Sequence, residues 1–88
     1  MAGKYEPLEI FLKSLPRDQA TISLSFARIE EIIGDTLPKS ASDYRPWWGN
    51  ERDTKSRSQA HAWMSAGFEV ASVQQSRSTG SVEFRRTR

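Results

Sequence analysis

The sequence predicts an α+β fold in which helices and one short strand precede a β-hairpin. Apolar residues recur at helical spacing over residues 6–15 and 26–33. Apolar and polar residues alternate over residues 68–73 and 81–86, which flank a polar, glycine-containing turn. The chain has 88 residues, a length typical of one domain. We therefore expect a single domain with the order helix, strand, helix, helix, extra helix, β-hairpin.

The first third of the chain predicts a helix and then a strand. A helix over residues 6–15, ended by Pro16, is indicated by apolar residues three or four apart: Tyr5, Leu8, Phe11, Leu12 and Leu15. Residues 20–24 contain β-branched side chains in alternation, which favours a short strand. The strand should lead directly into the next helix.

The second helix is predicted over residues 26–33. Phe26, Ile29, Ile32 and Ile33 fall on one face of this segment. Ser25 suits the N-cap position, and Gly34 suits the left-handed residue that ends a helix. Start, apolar face and end all agree on this element.

A third helix is predicted over residues 38–45, because Pro38 suits a first helical turn and Pro46 cannot continue the helix. Trp47 and Trp48 should then lie at a kink or on a new turn. Neighbouring residues of a helix point about 100° apart, so one tryptophan is expected in the core. The other either packs partly against the 58–67 segment or lies on an exposed contact surface.

The remaining segments predict a loop, an extra helix and the hairpin. Residues 49–58 are polar and form the loop, and Ser58 caps a helix that ends at Gly67. Gly80 is expected to supply an unusual backbone angle in the hairpin turn. A bulge is expected near Ala71 and Ser72. The strand residues that should face inward are Phe68, Val70, Val82 and Phe84.

Without its extra helix, this order is similar to the winged helix-turn-helix family, a resemblance of topology over residues 6–88. The resemblance implies that the second helix of the pair, residues 38–45, approaches the DNA major groove. It also implies that the 68–86 hairpin is a wing that touches the DNA backbone.

The sequence also resembles a family of small bacterial and phage-encoded domains of unknown function. The shared segments, in chain order, are KYEPL, SFARIEEIIG, LPKSA, WWGN, HAW, GFEV and VEFRR. This resemblance covers nearly the whole chain. It implies a bacterial or phage origin and assigns no activity.

Positive charge is concentrated in the second part of the chain. Residues 1–35 hold four basic and six acidic side chains, whereas residues 36–88 hold nine basic and five acidic ones. The net charge of +2 thus divides into −2 and +4. This asymmetry favours a polyanionic partner.

These observations predict a nucleic-acid-binding module, with duplex DNA as its ligand. The expected contact residues are Lys39, Ser40, Ser42, Arg45, Trp48, Asn50, Arg52, Lys55, Arg57, Arg77, Arg85 and Arg86. Asn50 either caps the following turn or hydrogen-bonds a base edge. Arg52, Lys55 and Arg57 belong either to a solvated loop or to the binding surface.

A second hypothesis is a protein-interaction module, such as an accessory protein or antitoxin, that uses an exposed tryptophan and its basic surroundings. One small module buries only roughly 600 to 1,000 Å² on DNA, so tight binding would need a homodimer or a fused partner. Either hypothesis leaves the chain a binding protein.

The residue inventory argues against catalysis and cofactors. The chain has no cysteine and one histidine, His61, so neither a zinc site of usual ligands nor thiol chemistry is expected. Nucleophile elbows, phosphate loops and dinucleotide fingerprints do not occur in the sequence. This inventory predicts a non-enzymatic protein without cofactor. Because the sequence also has no apolar run long enough for a membrane span, we expect a cytoplasmic protein.

Overall fold

The computed structural model describes residues 3–49, 58–76 and 78–87. They form a mixed α+β fold with four α-helices, one 3-10 helix and a three-stranded antiparallel sheet. The elements in chain order are α1 (Glu6–Lys13), β1 (Thr21–Ser25), α2 (Phe26–Ile33), α3 (Ser40–Asp43), the 3-10 helix (Arg45–Trp48), α4 (Ser58–Ser65), β2 (Phe68–Gln74) and β3 (Ser81–Arg86). The predicted α+β class is confirmed.

The sheet has the strand order β1-β3-β2, so β3 pairs with a strand on each side. Phe84 at the centre lies opposite Ile22 of β1 and Val70 of β2. The β2–β3 register shifts between Val70 and Ser72, which confirms the predicted bulge. Because β1 and β2 are far apart in sequence, the sheet joins both ends of the chain.

Helix α2 forms where local signals predicted it. The Ser25 hydroxyl accepts a hydrogen bond from the Arg28 N–H at 3.0 Å, which caps the first turn. Gly34 takes a left-handed φ of 70° at the other end. Phe26, Ile29 and Ile33 are buried as their spacing predicted, whereas Ile32, predicted on the same face, is only partly buried.

The helix predicted over residues 38–45 is wrong in its extent. Only Ser40–Asp43 is α-helical, Tyr44 is extended, and a 3-10 helix begins at Arg45. Pro46 explains the break, because its ring would clash with the carbonyl four residues earlier in a continuous α-helix. The tryptophans consequently lie on a new turn.

Gly80 does not have the unusual backbone angle that the sequence predicted. Among the described glycines, only Gly34 and Gly67 have positive φ. Gly80 is needed for space, since a Cβ there would lie 2.3 Å from the Phe26 ring and 2.5 Å from the Ser76 carbonyl oxygen. The hairpin turn thus packs directly against the start of α2.

One apolar core lies between the helices and the inner face of the sheet. Its aromatic rings form a continuous row. The ring centres lie 5.2 Å apart for the stacked pair Phe26 and Trp48, 5.7 Å for the stacked pair Trp48 and Trp63, and 5.6 Å for Trp63 and Phe84. All four side chains are buried.

None of the described helices has the length and apolar character needed to cross a membrane.

Candidate nucleic-acid interface

The candidate interface is centred on α3 and the turn that follows it. Lys39 lies at the start of α3, and its side chain is 74% exposed. Arg45 is exposed at the start of the 3-10 helix and forms no ion pair with any residue of the described part. Ser40 and Ser42 are half-buried on the helix between them. These side chains come from seven successive residues, 39–45, in and directly beside α3, so local chain geometry places them near one another.

Tyr44 belongs to the same surface although it was not among the predicted contact residues. It is 53% exposed, one of two large apolar side chains exposed to that degree among the described residues. Its position between Asp43 and Arg45, two residues before Pro46, is the signal that could have identified it. The break in the helix leaves Tyr44 extended, with its ring in solvent. We call Lys39, Tyr44 and Arg45 the α3 corner.

The α3 corner is held in place by buried contacts behind it. The carbonyl of buried Ala41 accepts one hydrogen bond from Trp48 Nε1 at 2.8 Å and another from Gln75 Nε2 at 3.1 Å. Gln59 Nε2 donates to the Trp47 carbonyl at 3.2 Å. The core, α4 and the end of β2 therefore all position this surface.

One carboxylate weakens the positive field of the α3 corner. Asp43 Oδ2 lies 4.0 Å from Lys39 Nζ, one helical turn away, and the Asp43 side chain is half exposed. An exposed pair at this distance is loose and is screened by salt. Lys39 therefore stays accessible to an incoming phosphate.

A groove opens beside the α3 corner, between the start of α2, α3 and the hairpin turn. It has a volume of about 130 Å³, and its lining includes Phe26 and the hydroxyl-bearing residues Ser25, Ser42, Ser78 and Thr79. The Glu30 carboxylate at its edge accepts a hydrogen bond from the Leu37 N–H at 2.7 Å. The groove offers hydrogen-bonding groups next to the cationic residues.

Trp48 is corrected from a surface residue to a core residue. It is 1% exposed, and its ring is enclosed between Phe26 and Trp63. The half-buried tryptophan is Trp47, which contacts the edge of the Tyr5 ring at 5.9 Å. The large buried surface of an indole explains the outcome, since a short chain must bury most of its aromatics.

The two arginines of β3 hold structural positions. Arg85 forms an ion pair and hydrogen bonds with Glu69 on β2. Arg86 donates to the carbonyls of Gln19 at 3.1 Å and Pro16 at 2.8 Å, and its guanidinium lies 4.6 Å from the centre of the Phe68 ring. Both side chains are thus occupied within the fold, and the structure does not bring them into the α3 corner.

Five predicted contact residues lie outside the described residues: Asn50, Arg52, Lys55, Arg57 and Arg77. The alternatives for Asn50 and for the 52–57 tract therefore remain predictions. Their place in the sequence is informative even so, because 50–57 directly follows the turn that carries the α3 corner.

Metal-ligating side chains are dispersed in the described part of the chain, where three His, Asp or Glu side chains nowhere form a cluster able to hold an ion. His61 is exposed on α4, and its ring nitrogens lie 3.3 Å from the Ser65 hydroxyl.

A comparison with protein families assigns the chain to a family. The family model described as Domain of unknown function (DUF7662) matches residues 5–87. The chain belongs to this family. The match spans every element of the fold, from Tyr5 before α1 to Thr87 after β3, and confirms the predicted membership of a small domain family without an assigned function. No curated protein and no solved structure matches the chain significantly.

Proposed function

We propose that this DUF7662 domain is a nucleic-acid-binding module that contacts duplex DNA through the α3 corner. The observation that carries the proposal is the exposure of Lys39 and Arg45 on either side of an exposed tyrosine, on a surface fixed by the core. Cations bind phosphates, and an exposed aromatic ring adds stacking or packing against a base or sugar.

The order of elements supports this proposal. The chain retains a helix, a strand, two helices and a C-terminal hairpin, as the winged helix-turn-helix resemblance requires. The extra helix α4 lies between α3 and the hairpin and has Ala60, Ala62 and Trp63 buried, so it serves the core. The surface that we propose to contact DNA is therefore the α3 corner.

The short length of α3 changes the expected mode of contact. Four residues make one helical turn and rise only about 6 Å, too little to lie along a major groove. We therefore infer that affinity comes mainly from phosphate contacts, to which Arg52, Lys55 and Arg57 of the adjoining segment would add. Sequence discrimination should be modest.

The test is a titration of labelled duplex DNA at two salt concentrations. We expect affinity that falls steeply with salt and is lost in the double variant Lys39→Glu, Arg45→Glu. The matched control is Lys13→Glu with Arg17→Glu, which changes the net charge equally at exposed residues outside the α3 corner. Equal losses in the two double variants, or no binding by the wild-type protein at low salt, would refute the proposal.

Asp43 provides a sharper test, because a gain of function is hard to obtain by accident. Asp43→Asn removes a negative charge 4.0 Å from Lys39 Nζ and should raise DNA affinity severalfold. Asp18→Asn, which removes an exposed charge elsewhere, should have little effect. An unchanged affinity in Asp43→Asn would show that DNA does not approach α3.

A second candidate function is protein interaction through the same surface, favoured by the exposure of Tyr44. Tyrosine and arginine are enriched at binding hot spots, and Tyr44 adjoins Arg45. In this case Tyr44→Ala should abolish partner binding while salt has a weak effect. For DNA binding, Tyr44→Ala should weaken affinity and leave the steep salt dependence in place.

A further inference from the structure

The outer edge of β1 carries hydrogen-bonding groups that the sheet does not use. Arg86 N–H donates to the Ala20 carbonyl at 2.7 Å, and Phe26 N–H donates to the Gly80 carbonyl at 2.9 Å. Because antiparallel pairing alternates, the residues that bond β3 are Ala20, Ile22, Leu24 and Phe26. The backbone N–H and C=O groups of Thr21 and Ser23 and the N–H of Ser25 point away from the sheet, whereas the Ser25 carbonyl belongs to the first turn of α2.

This edge is accessible and lacks the usual protection against strand pairing. Thr21, Ser23 and Ser25 are all exposed. The strand TISLS contains no proline, no charge and no bulge, whereas the other edge strand, β2, is interrupted by its bulge. Natural sheets normally protect edges with such devices. A side-chain bond from Gln19 Nε2 to the Thr21 carbonyl, at 3.3 Å, also contacts this edge.

The sequence of β1 is complementary to itself in an antiparallel arrangement. A two-fold axis at Ser23 would place Ser23 opposite Ser23 of a second copy and Thr21 opposite Ser25. The two Ser23 hydroxyls would meet on the outer face, and Ile22 would lie opposite Leu24 on the inner face. Like charges do not meet anywhere along the strand.

The charges beside β1 also suit this arrangement. Arg17 and Asp18 precede the strand, and Arg28 and Glu31 follow it on the exposed side of α2. Antiparallel pairing would bring the first pair of one copy towards the second pair of the other. Each side then presents both signs, which permits opposite charges to pair.

From these observations we propose that two copies of this chain associate through their β1 edges and form one continuous six-stranded sheet. The inference does not depend on nucleic-acid binding. Because five-residue strands bury less than the roughly 1,200 to 2,000 Å² of a standard interface, the dimer should be weak and visible at high protein concentration. It would give the assembly two copies of the α3 corner.

Cross-linking tests the predicted register directly. The chain has no cysteine, so Ser23→Cys introduces a single thiol that can form a disulfide only between two copies. Hydrogen-bonded antiparallel partners have Cα atoms about 5.5 Å apart, which is within the range of a disulfide. The matched control is Ser72→Cys on the exposed face of β2, which the dimer would place five strand spacings, roughly 24 Å, from its counterpart.

We expect Ser23→Cys to cross-link at least tenfold faster than Ser72→Cys under mild oxidation. Sedimentation should show concentration-dependent association of the wild-type protein. It should be lost in Ser23→Lys, which places like charges on the two-fold axis, and kept in Ser72→Lys. Equal cross-linking rates, or a wild-type protein that stays monomeric at millimolar concentration, would overturn the proposal. Neither result bears on DNA binding, which is measured at low protein concentration.

Discussion

The adjacent residues Trp47 and Trp48 differ in burial, and this difference determines how much each side chain contributes to the stability of the fold. Trp48 combines a stacked position in the core with a hydrogen bond to Ala41, while Trp47 is half-buried at the margin. We expect Trp48→Ala to lower the free energy of unfolding by about 3 to 5 kcal/mol, as for other large-to-small core changes. Denaturant unfolding measures this change, and Tyr44→Ala, at an exposed position, should cost well under 1 kcal/mol.

Tyr5 links the stability of the fold to alkaline pH. Burial of the phenol, reinforced by the nearby charge of Asp35, raises the pKa of Tyr5 above its ordinary value of 10.0. Between the unfolded and the folded pKa the unfolded chain loses the proton first. The stability associated with the protonated phenol is thus complete below about pH 10 and is lost as the pH rises through the folded pKa.

Two measurements check the Tyr5 prediction. In Tyr44→Phe, Tyr5 is the only tyrosine, and its absorbance titration should give an apparent pKa above 10.0. Above pH 10 the free energy of unfolding of Tyr5→Phe should fall less with pH than that of the wild-type protein. If Tyr5→Phe and the wild-type protein decline in parallel, another group is responsible.

At the scale of elements, the bounds of α2 could be predicted because its cap, apolar face and terminator agree. The extent of the helix predicted over residues 38–45 could not, because its signals conflict. Helix α2 has a cap at Ser25 and a terminator at Gly34, and it formed where expected. Over residues 38–45 the helical spacing competes with Pro46, and the strength of that competition depends on how Trp48 packs. The role of Gly80 depends on Phe26, a contact between residues 54 positions apart.

Glycine substitutions distinguish steric from conformational requirements. Gly80→Ala should destabilise the protein by about 1 to 3 kcal/mol, because its Cβ would overlap Phe26 and the Ser76 carbonyl. Gly34→Ala meets no atom within 4 Å but is strained at a φ of 70°, and should cost about 1 kcal/mol. Gly3→Ala, with open space around it, is the control. A Gly80→Ala variant as stable as this control would contradict the packing of the turn on α2.

The neighbouring arginines of β3 should respond differently to truncation. Arg86 joins the sheet to the turn before β1 through the Pro16 and Gln19 carbonyls and covers the Phe68 ring. Arg86→Ala should therefore cost about 1 to 3 kcal/mol. Arg85→Ala removes only an exposed pair with Glu69 and should cost less than about 1 kcal/mol. Thermal unfolding of both variants gives the comparison. A loss of stability in Arg86→Ala as small as that expected for Arg85→Ala would show that Arg86 carries no structural role.

At the scale of the whole molecule, composition revealed the positive charge of the second part of the chain but not which cations are committed to the fold. Arg85 and Arg86 follow the buried Phe84 at the end of β3, and their partners Glu69, Pro16 and Gln19 come from distant parts of the chain. The proximity of Lys39 and Arg45 could be predicted because they are separated by only five residues, and both side chains are exposed. Tyr44 was missed because its exposure follows from the helix break.

This division of charges predicts that salt affects binding and stability differently. The ion pairs of the described residues each include a side chain more than one third exposed: Lys4–Asp35, Lys13–Glu9, Arg28–Glu31, Lys39–Asp43 and Arg85–Glu69. Such pairs contribute little, so stability should change by less than about 1 kcal/mol between roughly 50 and 200 mM salt.

The affinity for DNA that we propose for the α3 corner should respond far more strongly over the same range. Two phosphate contacts, from Lys39 and Arg45, imply a slope of log affinity against log salt of about −1.8, or roughly a tenfold loss of affinity between 50 and 200 mM. Any contacts from residues 50–57 would steepen the slope. Lys39→Ala with Arg45→Ala should reduce its magnitude by about 1.8 with no change in melting temperature, whereas an unchanged slope would place the phosphate contacts elsewhere on the domain.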